Sequence, residues 1–334
     1  MSDALSRTTP LATIVMYHIV HRRADGVIAR LKGLDAAAFR EQLGYIRRHY
    51  SPVDLLDLVT APRPGDLPPR PIVLSFDDGY AAHYDIVYPI LADARLPAVF
   101  FPVSASMLDR RVLDVNKIQC ILAAADRVDR IVEAIDLAIT RAKPALSSIE
   151  WYREQFWKAS RWDPPEIVYC KRLLQFALPE HVRRTLVDEL FTGTVTADEQ
   201  TFADELYLTA AQAREMREAG LSVGAHGGRH LRLPTLSRDG QALEIDDALR
   251  VLDAAGMSRQ RFAYSYANGE SNQDSMELLR ARGCAAAVTT RPDLARLGED
   301  DLLRLPRVDT NDLPVRADAE LNEWTRRAAG QIGS

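Results

Sequence analysis

Pro71-Ile72-Val73-Leu74-Ser75-Phe76-Asp77-Asp78-Gly79-Tyr80 reads as a buried strand that runs straight into two carboxylates and a turn glycine. Outward from it, short β-branched or aromatic runs recur at 12–19, 98–103, 221–226, 262–266, 284–289 and 302–308, giving seven candidate strands with 71–76. Helical spacing fills the gaps. Ile86, Val87, Ile90 and Leu91 repeat within Ala81 to Arg95 before Pro97, and Ile245, Ala248, Leu249 and Leu252 make a second stripe with Gly256 placed as a C-cap. Strands that alternate with such helices form parallel sheets through crossover connections.

At 334 residues the chain suits either two domains or one large α/β barrel. With 47% hydrophobic residues, 27% charged, 17 Gly and 18 Pro, the composition is that of a folded globular protein and excludes disordered and collagen-like classes. The formal charge of −5 offers no overall attraction to phosphate backbones, so a nucleic-acid polymer is not expected as partner. Cys120, Cys170 and Cys284 are too widely spaced for a zinc framework and odd in number. From Met1 the chain passes into the short apolar stretch Pro10–His18 with no cleavage-site pattern, and no run reaches the roughly 18 apolar residues of a transmembrane segment. A cytoplasmic location is the expectation.

Between about 105 and 208 the strand rhythm stops, and Ile118, Ile121, Leu122, Val128, Val132, Ile135 and Ile139 recur at helical spacing. This predicts a helical insertion on the barrel rim or a separate second domain. It carries Trp151, Tyr152, Phe156, Trp157 and Trp162. Those aromatics fit either a small helical core or a lid over the barrel mouth.

In an α/β barrel the working residues project from the C-terminal strand ends. Here those ends supply Tyr17-His18, Asp77-Asp78, His226-Gly227-Gly228-Arg229-His230 and Tyr264-Ser265-Tyr266. Asp78 could serve as a helix N-cap, but one Asp would suffice, and two adjacent carboxylates at a buried strand end repel unless a cation or shared proton relieves them. His226 and His230 flank two glycines, which disfavour a helix and make the segment a tight loop. Such a loop either carries two unrelated histidines or wraps them around one ion; with an Asp they would complete a three-ligand catalytic metal site.

These residues resemble the polysaccharide deacetylases of the NodB-homology type, carbohydrate esterase family 4, over about 10–104 and 209–310. Ser75-Phe76-Asp77-Asp78-Gly79-Tyr80 resembles the first motif of the family, His226-Gly227-Gly228-Arg229-His230 the second, and Phe262-Ala263-Tyr264-Ser265-Tyr266 the third. The resemblance implies a distorted (β/α) barrel of about seven parallel strands, at 10–104 and 209–320, with the 105–208 helical insertion as a lid or substrate-binding region. It implies one divalent ion, zinc by default with cobalt, nickel or iron compatible, on Asp78, His226 and His230. Asp77 would be the catalytic base and the Tyr266 backbone N–H an oxyanion donor.

Three departures accompany the match: Gly227 stands where Ser or Thr is usual, and Ala263 and Ser265 stand where many members have Arg and Pro. Arg307, near a later strand end, is the candidate to replace the missing arginine beside Asp77. Met16-Tyr17-His18 resembles a subgroup in which the early histidine looks like the general acid. The implied function is metal-dependent removal of an N-acyl group, expected to be acetyl, from a nucleotide-linked, lipid-linked or small glycoside amino sugar. Deformylase or O-acyl esterase chemistry and a non-catalytic carbohydrate-binding relic are the alternatives.

Overall fold

In the computed structural model, which describes residues 10–22, 26–61, 66–142, 145–161 and 163–332, seven strands follow the expected order. They are β1 (Leu11–Tyr17), β2 (Pro71–Asp78), β3 (Val99–Pro102), β4 (Ser222–Val223), β5 (Phe262–Ser265), β6 (Cys284–Val288) and β7 (Val308–Asp309). The N-terminal reading that used Met1–Thr9 falls outside the described residues. The chain divides into two compact units: Met1–Arg22 with Gly33–Arg110 and Leu206–Ser334, and Arg23–Lys32 with Arg111–Glu205.

In the first unit β2 is buried at every position because it is parallel to β1 on one side and β3 on the other. β3 continues to β4, and β7 pairs with β1, all parallel. β5 and β6 form their own parallel pair. Single bridges join that pair to its neighbours, Ala225 to Tyr264 on one side and Val288 to Leu305 on the other. The wall is thus a distorted barrel that continuous ladders do not close. The seventh ladder is also shorter than the run 302–308 suggests: only its end pairs with β1, while Leu302 and Leu305 bond β6 through single backbone contacts.

Side chains alternate along these strands, and each face packs its own core. Ala12, Ile14, Val73, Val99, Phe101, Ala263, Ala286, Val288 and Leu305 share one cluster inside the barrel, where the small alanines suit the narrow interior. Val15, Tyr17, Ile72, Leu74, Phe76 and Phe100 lie in another with Phe39, Leu43 and Ile46 of helix Ala36–His49 and Ile90 and Leu91 of helix Tyr88–Ala94. The same alternation puts Ser75 and Asp77 on the side of Val73. A π-helical turn, His83–Val87, precedes Tyr88–Ala94, and the second crossover divides into Arg238–Ala248 and Arg250–Ala255. Gly256 caps it in the left-handed region at φ 74°, as its position predicts.

The second unit is helical, with Asp114–Ala124, Val128–Arg141, Ile149–Phe156, Pro165–Arg172 and Glu180–Thr194 among its elements. Ile118, Ile121, Val132, Ile135 and Ile139 are buried, as their spacing requires. Lys117 is buried too, and its ammonium is met by Asp188 at 2.6 Å and Glu199 at 3.0 Å. The aromatics divide: Tyr152 is buried, whereas Trp151 is 45% and Trp157 37% exposed. Trp162 lies outside the described residues. Among the described residues no helix is long and apolar enough to cross a membrane.

Candidate metal centre and active site

β2 places Asp77 inside the barrel, and its backbone then departs from the strand conformation, with Asp78 at φ 72°. A non-glycine residue in that region is strained, and such strain concentrates at functional positions. His230 has the same property at φ 61°. Between His226 and His230 the loop turns through Gly227 at φ 86°, where a Cβ would lie 3.0 Å from Glu244 Oε1.

Glu244 is buried on helix Arg238–Ala248, and its Oε1 accepts the backbone N–H groups of Arg229 at 2.8 Å and Leu231 at 3.1 Å. That carboxylate holds the loop where the hydroxyl usual at position 227 is missing. Glu244 belongs to none of the three motifs, although a signal was present: it falls on the buried helix face with Gln241, Ile245 and Ala248.

The three expected ligands converge. Asp78 Oδ1 lies 3.5 Å from His226 Nε2 and 3.6 Å from His230 Nε2, and one ligand atom from each residue fits within 4.8 Å of the others. Asp78 Oδ2 accepts the Tyr80 hydroxyl at 2.8 Å, but buried Oδ1 has no hydrogen-bond partner. An orphaned carboxylate oxygen facing two imidazole nitrogens is an arrangement that a bound cation would complete. His226 Nδ1 lies 2.8 Å from the Ser265 carbonyl, so Nδ1–H donates there and leaves the Nε2 lone pair toward Asp78. Two nitrogens and one carboxylate oxygen are the donor set of a catalytic divalent metal.

Burial would raise the Asp78 carboxyl, but His226, His230 and His18 together hold it far below the ordinary range. Burial lowers His230 to about 4, with the neighbouring His226 charge adding to the effect. At His226 burial also pushes downward, but Asp77 and Asp78 carry the net shift upward.

Asp77 is clamped. Arg307, itself fully buried, donates Nη1 to Oδ1 at 3.0 Å and Nη2 to Oδ2 at 2.7 Å, while Ser265 Oγ donates to Oδ2 at 3.2 Å. The fork is fixed from behind by the Thr289 carbonyl, which accepts Nε at 2.8 Å. Burial, the largest single influence, would raise Asp77, but the charge and hydrogen bonds of Arg307 together with the His226 and His18 charges hold the carboxyl at about 2. Arg307 therefore reaches Asp77 from the residue just before β7, taking the place beside the carboxylate that Ala263 leaves without an arginine. Ser265, which replaces a proline, contributes a hydroxyl to the same carboxylate.

His18 is exposed at the end of β1, and its charge acts on Asp77, Asp78 and His230. Its backbone carbonyl lies 2.7 Å from Nε2 of buried His83, a contact in the π-helical turn that no motif anticipates. Tyr266 does not meet its expected role. Its backbone N–H donates to the Val288 carbonyl at 3.1 Å and its hydroxyl to Leu303 at 3.0 Å, so the sheet has already taken the proposed oxyanion donor. Tyr264 is likewise buried in the helix-facing cluster with Ile245 and Leu252, so neither phenol belongs to the reactive group.

The polysaccharide deacetylase family, whose motifs this geometry assembles, matches residues 65–135 and 180–287, and the chain belongs to it. A stretch of 78 residues is 40% identical to the poly-beta-1,6-N-acetyl-D-glucosamine N-deacetylase of Escherichia coli K12. That match covers 23% of this chain and only 12% of the relative. The Streptococcus pyogenes deacetylase PplD, solved in complex with acetate, superposes with a TM-score of 0.55 at 17% identity, covering 92% of this chain and 94% of PplD. IcaB from Ammonifex degensii gives 0.54 at 15% identity and 96% of both chains. These likenesses establish the distorted-barrel fold.

Proposed function

We propose that the chain is a metal-dependent carbohydrate N-deacetylase that hydrolyses the N-acetyl group of an amino sugar. The observation that carries this reading is the orphaned Asp78 Oδ1 facing two imidazole nitrogens beside the arginine-clamped Asp77. Family membership and the named activity of the Escherichia coli relative support it. Asp78, His226 and His230 would hold a divalent ion, with zinc the first choice for these donors, and it would supply a Lewis acid that lowers the pKa of water.

Asp77 accepts the proton of the attacking water. Its pairing with Arg307 keeps it ionised and oriented, so its basicity comes from position more than from a raised pKa. His18, open to solvent beside the carboxylates, protonates the departing amine, without which an amide nitrogen leaves poorly. Ser265 and Arg307 keep the Asp77 oxygens in plane, and Glu244 keeps both histidines in register.

The test joins metal analysis with amine release from N-acetylglucosamine monomers and polymers. Wild type should hold about one divalent ion per chain, and Asp78→Ala, His226→Ala and His230→Ala should each lose it. Asp77→Asn should keep metal and fold yet lose turnover. Metal retained undiminished in all three ligand variants would end the assignment, and equal metal loss in Asp77→Asn would reverse the roles of the two aspartates.

A further inference from the structure

A cavity of about 360 Å³ in the barrel unit is lined by residues that follow β5 and β6, among them Gly269, Glu270, Ser271, Thr289 and Arg291, together with Arg304. Its volume is within the range of small-ligand sites. The wall is tied to the candidate centre through backbone atoms: the Thr289 carbonyl accepts Arg307 Nε at 2.8 Å, and the Arg291 carbonyl accepts the Arg307 N–H at 3.0 Å. A group in this cavity would therefore sit beside the residue that clamps Asp77.

Of the charged side chains that line the cavity, two are arginines, Arg291 and Arg304, and one is a carboxylate, Glu270. Its one carboxylate is already engaged, since Glu270 receives Arg232 Nε at 3.0 Å and Nη2 at 2.5 Å. Arg291, half exposed, is held by longer contacts to Asp293 at 3.4 Å and Asp300 at 3.3 Å. Arg304 is exposed, and among the described residues its guanidinium has no hydrogen bond or ion pair. An uncommitted arginine at a lined cavity favours an oxyanion, which its planar fork binds in bidentate fashion.

We propose that this cavity is a specificity subsite for an anionic substituent, carboxylate or phosphate, carried by the substrate next to the acylated amine, with Arg304 as its docking cation. The inference rests on the deacetylase reading for the position of the substrate. Arg304 itself touches neither the ligand triad nor Asp77, so it should set affinity and leave the chemical step alone.

Binding can be read without turnover. Titration calorimetry on the metal-loaded Asp77→Asn protein would use a hyaluronan tetrasaccharide as carboxylate probe, N-acetylglucosamine 1-phosphate as phosphate probe and chitotetraose as neutral control. At least one anionic probe should bind more tightly than chitotetraose, weaken with added salt, and lose about tenfold in affinity in Arg304→Ala, with Arg304→Glu losing more. Chitotetraose should bind both arginine variants as it binds the parent. Which anionic probe responds identifies the source of the charge. The subsite is refuted if neither anionic probe exceeds the neutral one, or if both arginine variants bind the anions unchanged. Amine release by the wild-type protein, measured separately, tests the deacetylase reading, so failure of one is not mistaken for failure of the other.

Discussion

Replacing Arg307 by methionine should expose how the barrel tolerates a buried carboxylate. The side chain is fully buried, and its guanidinium makes two bonds to Asp77, one each to the Ser75 hydroxyl at 3.3 Å and the Ser265 hydroxyl at 3.2 Å, and one to the Thr289 carbonyl. Removing one partner of a buried ion pair costs about 3–5 kcal/mol because the other charge is left uncompensated. The pH dependence adds a sign. Asp77 is held at about 2 against an ordinary 3.8, so in the parent it contributes roughly 2 kcal/mol of stability, present above the unfolded pKa and lost as pH falls through about 2.

Without the arginine, burial dominates and lifts the Asp77 pKa above its ordinary value. The carboxylate then destabilises the fold at neutral pH, and protonation relieves it on acidification. The stability gap between parent and Arg307→Met should therefore be widest near pH 7 and narrow toward pH 4. Urea unfolding across that range, on metal-free protein, measures it. The acidic limb of the kcat/KM profile of loaded Arg307→Met should move to higher pH as well. Arg307→Lys, which keeps a charge but not the fork, should fall between the two. A constant gap from pH 7 to pH 4, or a variant as stable as the parent, would refute this account of the clamp.

Three further outcomes follow from the same geometry. His18→Ala should slow amide hydrolysis far more than hydrolysis of a matched ester with a good leaving group, because only the amine needs the proton; equal losses would make His18 a packing residue. Glu244→Ala leaves the Arg229 and Leu231 N–H groups without their acceptor, which should cost about 1–3 kcal/mol in urea unfolding and lower metal affinity about 10- to 100-fold, with Glu244→Gln milder. Unchanged metal affinity in Glu244→Ala would remove it from the loop's support. If residues 105–208 contribute a substrate-binding surface, Trp151→Ala should raise KM with little change in Tm, whereas Tyr152→Ala should cost about 3–5 kcal/mol; an unmoved KM would count against that surface.

The parts of this molecule that were legible in sequence are those governed by local pattern. β2 announces itself because a continuous apolar run is followed by an aspartate pair and a glycine, and the ligand triad because HGGRH is a glycine-bent loop at a strand end. What pattern could not reach are contacts between distant segments. Glu244 acts on backbone N–H groups 13 and 15 residues away, and His83 on a carbonyl 65 residues away, which no spacing rule encodes. The Tyr266 N–H is the opposite case. Its place in a motif suggested a free donor, but hydrogen-bond capacity depends on register with β6, and that register gives the proton to Val288.

The centre combines features that work against stability when taken singly. Two adjacent carboxylates are buried, two non-glycine residues adopt left-handed backbone conformations, and one carboxylate oxygen has no partner. Arg307 compensates Asp77, but it does not reach Asp78, whose free oxygen faces only imidazoles. Strain of about 1–3 kcal/mol at each left-handed residue persists only where surrounding structure enforces it. Here the strained residues are Asp78 and His230, two members of the proposed ligand set. A stability role would be better served by relaxed backbones and a second arginine. The arrangement makes physical sense as a clamped base beside a site built to gain its missing stabilisation from a cation, so binding that cation should raise Tm, with the stabilisation growing as the logarithm of its concentration over Kd.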